Sequence, residues 1–143
     1  FQQIFSRLFG GGTAKILLND THNILTSGID FLIQPPGKKA QSLTLLSGGE
    51  RALTVIALLL AFLAYRPAPF CLVDEVDAAL DEANVDRMAR YLKNYSGDTQ
   101  FIVITHRRKS MEAANTLQGV TMEEKGVSKL ITVQVDEFIE KGT

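Results

Sequence analysis

Phe70-Cys71-Leu72-Val73-Asp74-Glu75 is a short apolar run that ends in two acids. Such a run predicts a central parallel strand covered on both faces. From about Asp81 to Tyr95, the residues Val85, Met88, Leu92 and Tyr95 recur at helical spacing. Phe101 to Ile104 is a second apolar run, closed by Thr105-His106. Strand, helix and strand of these lengths predict a βαβ unit with a right-handed crossover, and so an α/β fold on a mostly parallel sheet with flanking helices. Parallel neighbours bring Asp74, Glu75 and His106 to one carboxyl edge, where open α/β sheets bind ligands. Asp74 can hold Mg2+, directly or through water, because hard cations take oxygen ligands. Glu75 can orient or deprotonate an attacking water. An apolar run ending in Asp-Glu is, taken alone, also the pattern of a solvated strand end.

Upstream lies Leu45-Leu46-Ser47-Gly48-Gly49-Glu50-Arg51, followed by the almost wholly apolar run Ala52 to Tyr65. Ser47 and Glu50 have the spacing of a capping box. The helix predicted from about Gly48 to Tyr65 is apolar on nearly every face, which predicts burial on several sides. Pro67 and Pro69 end it. Free amides, a hydroxyl and two glycines at a helix start suit a phosphate, and equally an ordinary cap.

Further out the signals are plainer. Apolar residues at 1, 4, 5, 8 and 9 predict the end of an amphipathic helix, Phe1 to Phe9, stopped by Gly10-Gly11-Gly12. Ala14 to Leu18 and Gly28 to Gln34 read as strands around a turn that holds His22, a solvated loop residue. Lys38-Lys39 follows Pro35-Pro36-Gly37 and reads as a solvated turn or, less simply, a phosphate contact. Arg107-Arg108-Lys109 opens a short helix over Ser110 to Asn115; a solvated turn and a DNA contact are both open there. Gly119 to Glu123 and Ser128 to Val135 predict a hairpin around Glu124-Lys125-Gly126. Ser96-Gly97-Asp98 closes the preceding helix, and the tail from Asp136 is polar.

The 143 residues make one domain or part of one, with 45% apolar and 22% charged residues and a net charge of −1. That balance provides no global drive towards nucleic acid or an anionic membrane. Cys71, alone and in an apolar run, excludes an internal disulfide and a cysteine zinc site. The run Ala52 to Tyr65 is short for a bilayer and suits a core helix. The first residues lack an initiator Met and a basic signal region, and the expectation is a piece that begins within a helix.

Taken in order, these segments resemble a known set. Leu46-Ser47-Gly48-Gly49-Glu50, Phe70 to Glu75, Ala79-Leu80-Asp81 and His106 are similar to the signature motif, Walker B strand, D-loop and switch histidine of an ABC-type ATPase head. Within that superfamily, Pro69 to Val85, Gln100 to Arg107 and Gly119-Val120-Thr121-Met122 resemble the SMC (structural maintenance of chromosomes) family. Gln34-Pro35-Pro36-Gly37-Lys38-Lys39 resembles its bacterial chromosome-partition branch. Val76 stands where ABC transporters usually carry Pro, which favours the SMC branch. No G-x-x-x-x-G-K-[S/T] loop is present; Gly10-Gly11-Gly12-Thr13-Ala14-Lys15 has the wrong spacing and follows a helix.

The resemblance implies the C-terminal lobe of a P-loop ATPase head, one domain over 1–143. Residues 1–9 would be a coiled-coil stump, and a β-hairpin would lie near the C-terminus. The phosphate loop then sits in an N-terminal lobe, and two heads sandwich two ATP molecules. By resemblance, Ser47, Gly48, Gly49 and Glu50 meet the ATP of the opposite head, and Asp74 supports Mg2+. Glu75 is the catalytic carboxylate, and His106 contacts the γ-phosphate side. Asp81 shapes the dimer contact or only caps its helix. ATP hydrolysis would need both lobes and a second head. The implied partners are that N-terminal lobe, the second head, the C-terminal winged-helix domain of a kleisin, and DNA through the whole complex. No membrane is implied, and the expected location is cytoplasmic and nucleoid-associated. Chromosome condensation and segregation would be the output. A docking module without activity is the alternative.

Overall fold

The computed structural model describes residues 1–95 and 99–135. Helix α1 (Gln2–Phe9) runs into strands β1 (Thr13–Leu18) and β2 (Ile29–Gln34). The short β3 (Gln41–Ser42) and a 3-10 turn, Leu43–Leu45, lead into helix α2 (Gly48–Tyr65). Strand β4 (Phe70–Asp74), helix α3 (Glu82–Tyr95) and strand β5 (Gln100–Ile104) follow. Helix α4 (Arg108–Ala113) and the hairpin β6 (Thr116–Glu124) and β7 (Val127–Gln134) complete the described chain. The predicted loop at Ser96-Gly97-Asp98 and the tail from Asp136 lie outside the described residues.

The βαβ unit is present: β4 and β5 pair in parallel from Phe70↔Gln100 to Asp74↔Ile104. The mostly parallel sheet is not. Among the described residues this is the one parallel pair, while β1–β2–β3 and β6–β7 are antiparallel. The connections decide the direction. The loop over residues 19–28 and the turn at Lys125-Gly126 are too short for a crossover, which needs a dozen residues or more.

The core forms where α1, α2 and α3 meet β1 and β2. Ile4, Phe5, Leu8 and Phe9 enter it from α1, Leu53, Ile56, Ala57 and Leu60 from α2, and Val85 and Met88 from α3. Phe5 stacks on Phe9 with ring centroids 4.1 Å apart. Gly10 ends α1 in the left-handed region at φ 71°, a conformation glycine adopts without the steric cost other residues meet. The predicted stump at Phe1 to Phe9 is thus a working part of the core.

Two burial expectations are corrected. The helix over 48–65 is covered on one side only: Val55, Leu59 and Phe62 form an uncovered stripe, with Phe62 64% exposed. By length and composition α2 could cross a membrane, yet its buried residues pack with α1 as a core helix does. The strand 70–74 is also covered on one face. Val73 is buried and Cys71 half-buried, whereas Phe70 and Leu72 are 60% and 59% exposed. Ile102 and Ile104 of β5 continue that bare face. Among the described residues nothing packs there, so an apolar sequence coexists with one-sided burial.

Candidate functional site

The parallel register ends β4 and β5 at the same level, Asp74 beside Ile104. Asp74 shares the face of Phe70 and Leu72, since alternate residues of a strand point the same way. The next residue leaves the strand sharply. Glu75 has φ 46°, the one left-handed non-glycine residue among those described. A side chain in that region costs roughly 1–2 kcal/mol. The conformation is held by a bond from the Glu75 N–H to the Ile104 carbonyl at 2.9 Å, and by the Ala78 N–H donating to the Glu75 carbonyl at 3.1 Å. His106 leaves β5 beside it. Its Nδ1 lies 3.7 Å from Glu75 Oε1, and both side chains are exposed. The predicted acid and histidine therefore do meet at one edge.

The helix start behaves as its sequence predicts. Ser47 is the N-cap of α2: the Glu50 N–H donates to Ser47 Oγ at 3.4 Å and the Ser47 N–H to Glu50 Oε2 at 3.1 Å. The Ser47 hydroxyl also donates to Glu50 Oε2 at 2.8 Å. Lys38 adds an ion pair with Glu50 Oε1 at 2.9 Å, so the loop lysine serves this cap. The Lys38 ammonium, helped by the Ser47 bonds and opposed by partial burial, holds the Glu50 carboxyl below the usual range. Amides in a first helical turn lack intrahelical acceptors. A side chain at Gly48 would stand in open space, so its backbone is accessible. A Cβ at Gly49 would lie 3.1 Å from the Ala79 carbonyl oxygen. The glycine thus lets the helix start approach the turn that carries Asp81.

Asp81 makes the contacts of a helix cap, accepting from the Asn84 N–H at 2.8 Å and from Asn84 Nδ2 at 2.9 Å. Arg107 is not simply solvated, since its guanidinium donates to the Leu80 carbonyl at 2.9 Å. Arg108 and Lys109 both pair with Glu112. His22 lies in a turn where Asp20 accepts from the His22 and Asn23 amides. No group of three or more metal-binding side chains occurs among the described residues. Asp74 alone still fits Mg2+, which typically takes one or two carboxylates together with phosphates and water.

Sequence reasoning passed over Asp77. It is fully buried in the turn after β4. Its Oδ2 accepts from the Thr105 hydroxyl at 2.6 Å and from the Ser110 hydroxyl, and its Oδ1 is buried with no partner among the described residues. An unpaired buried acceptor costs about 1–3 kcal/mol. Within the acid run 74–77 nothing in the sequence distinguishes it; only the hydroxyls of Thr105 and Ser110, distant along the chain, reveal its place.

Residues 3–129 match the family profile described as RecF/RecN/SMC N terminal domain. The chain is 63% identical over 137 residues to the chromosome partition protein Smc of Bacillus subtilis (strain 168), covering 96% of this chain and 12% of the relative. It spans about an eighth of the length of that relative. A structure from work on ATP-driven dimerization and DNA stimulated activation of SMC ATPases superposes with a TM-score of 0.86 at 38% identity. The match covers 98% of this chain and 84% of that one. A Smc head domain with an extended coiled coil, bound to the C-terminal domain of ScpA and derived from Pyrococcus furiosus, gives 0.88 at 38% identity, covering 98% and 35%. With an α/β fold matching SMC head domains and a sequence matching chromosome-partition Smc proteins, the chain belongs to the RecF/RecN/SMC family.

Proposed function

We propose that this chain is the C-terminal lobe of an SMC ATPase head. Joined to its N-terminal lobe and to a second head, it binds and hydrolyses ATP and drives chromosome condensation and segregation. The observation that carries the reading is the parallel β4–β5 edge, where Glu75 and His106 stand 3.7 Å apart and exposed. Glu75 orients and deprotonates the attacking water, and His106 contacts the γ-phosphate side. Ser47 and the amides of Gly48 and Gly49, with Glu50 holding the cap, receive the γ-phosphate of ATP carried by the opposite head. Asp74 would hold Mg2+ through water, and the ion, when bound, neutralises phosphate charge. Asp81 caps α3 and shapes the contact between heads. The bare face of Phe70, Leu72, Ile102 and Ile104 supports docking of the N-terminal lobe, which brings the phosphate loop.

Hydrolysis opens the heads and ATP binding closes them, a shift of populations that a coiled coil continuing from α1 transmits. The ScpA-bound relative supports a second role on the same lobe, binding a kleisin C-terminal winged-helix domain. DNA is engaged through the whole complex, in the cytoplasm at the nucleoid. The test is reassembly. The chain alone shows negligible ATPase, and joined to its N-terminal lobe it turns over ATP. Glu75→Gln lowers turnover by about a hundredfold or more and traps an ATP-bound dimer in sizing experiments. Unchanged turnover in Glu75→Gln rejects the catalytic assignment, and a purely structural role of this lobe predicts unchanged turnover in Ser47→Arg.

A further inference from the structure

Asp77 sits beneath the reacting edge and touches none of the groups assigned to nucleotide or water. It grips two places on the segment that carries His106. Thr105, which accepts from the Arg107 N–H at 2.9 Å as well as donating to Asp77, precedes the histidine, and Ser110 lies on α4. Arg107, which follows the histidine, donates to the Leu80 carbonyl beside Asp81. His106 is therefore flanked on both sides by residues tied to the turn 75–81. On the other side, Glu75 is fixed through its backbone to Ile104 and Ala78. The two side chains that meet above are exposed and not locked by packing. Their relative position has to come from the backbones that carry them. A side chain there only to fill space would be apolar, since a buried acceptor without a partner is costly. What the carboxylate adds is a bridge from one loop to two hydroxyls on the next.

We propose that Asp77 is a positioning residue for hydrolysis: by holding Thr105 and Ser110 it sets where His106 stands against Glu75. The proposal rests on the ATPase reading above. It is tested in the head reassembled with its N-terminal lobe, by measuring ATP turnover of Asp77→Asn, Thr105→Val and Thr105→Ser, each with and without His106→Ala. Thr105→Val lowers kcat about ten- to a hundredfold with KM for ATP in place, since displacement of a positioned group costs rate rather than binding. Asp77→Asn lowers kcat in the same direction. Thr105→Ser, which keeps the hydroxyl, retains wild-type turnover. In the His106→Ala background neither Asp77→Asn nor Thr105→Val causes a further loss, because the residues act in series.

Equal fold-losses in both backgrounds overturn the proposal, as do a Thr105→Ser head as slow as Thr105→Val, and full activity in Thr105→Val or His106→Ala. Glu75→Gln is assayed alongside. If it is inactive while the losses multiply, the positioning role alone fails. If it keeps full turnover, the catalytic assignment of Glu75 fails and the positioning role falls with it.

Discussion

On Glu50 three groups converge: the Lys38 ammonium, the Ser47 amide and the Ser47 hydroxyl. Its carboxyl is held below the usual range, with Lys38 the largest cause. The sign follows by linkage. The stabilisation is complete above about pH 4.3, the unfolded value, and is lost as pH falls through the lower folded value. Glu50→Gln keeps the shape of a capping box and removes the charge. It is expected to cost up to about 1 kcal/mol near neutral pH. In denaturant titrations the gap from wild type narrows as pH falls below about 4.3 through the lower folded value. A gap that persists in acid would assign the effect to shape instead. This cap was legible in the sequence because all its parts but Lys38 lie within four residues. Asp77 was not, because its meaning depends on Thr105 and Ser110, which arrive only with the folding of β5 and α4 beside β4.

Among the elements, β4, β5 and α2 each have one covered and one bare face. The stripe Val55, Leu59, Phe62 on α2 and the four apolar residues on β4 and β5 are built like core yet face nothing among the described residues. Leu72→Lys tests the docking reading. The exposed site should leave the lobe's own stability nearly unchanged. Full burial of a leucine contributes about 1.5–3 kcal/mol, so affinity for the N-terminal lobe should fall about tenfold or more. Binding titrations measure it, and an unaltered affinity would exclude this face from the interface. The bounds of α2, Gly48 to Tyr65, were readable from periodicity and punctuation, whereas α4 runs over Arg108–Ala113 and so starts inside the run read as a basic turn before Ser110 to Asn115. Exposure was not, because an apolar run states that a face will be covered and not by which chain. Strand direction was readable where a helix intervenes, at β4–β5. The hairpin β6–β7 was readable too; the direction was misjudged in sum at β1–β2, where the short link over 19–28 forces an antiparallel pair.

Across the whole molecule, the two predicted groups stay apart in their bonding: Ser47 and Glu50 with Lys38, Glu75 with His106. If each serves a different nucleotide, each composite site takes its carboxylate from one head and its serine from the other. Mixing then separates the roles. Heads carrying Ser47→Arg are inactive alone, and so are heads carrying Glu75→Gln. Combined, they recover measurable ATPase, because one site of a mixed dimer has an intact Glu75 from one head and an intact Ser47 from the other. No recovery on mixing would place both groups on the same nucleotide.

The bare β4–β5 ribbon carries one more consequence, for the life of the polypeptide before assembly. Among the described residues each strand pairs only with the other, so neither outer edge has a ladder partner, and an apolar face lies beside them. Such edges are templates for strand addition. On the proposed reading, maturation is then a kinetic competition between docking of an N-terminal lobe and self-association, and the same residues that would make this lobe a good half would make it a poor orphan.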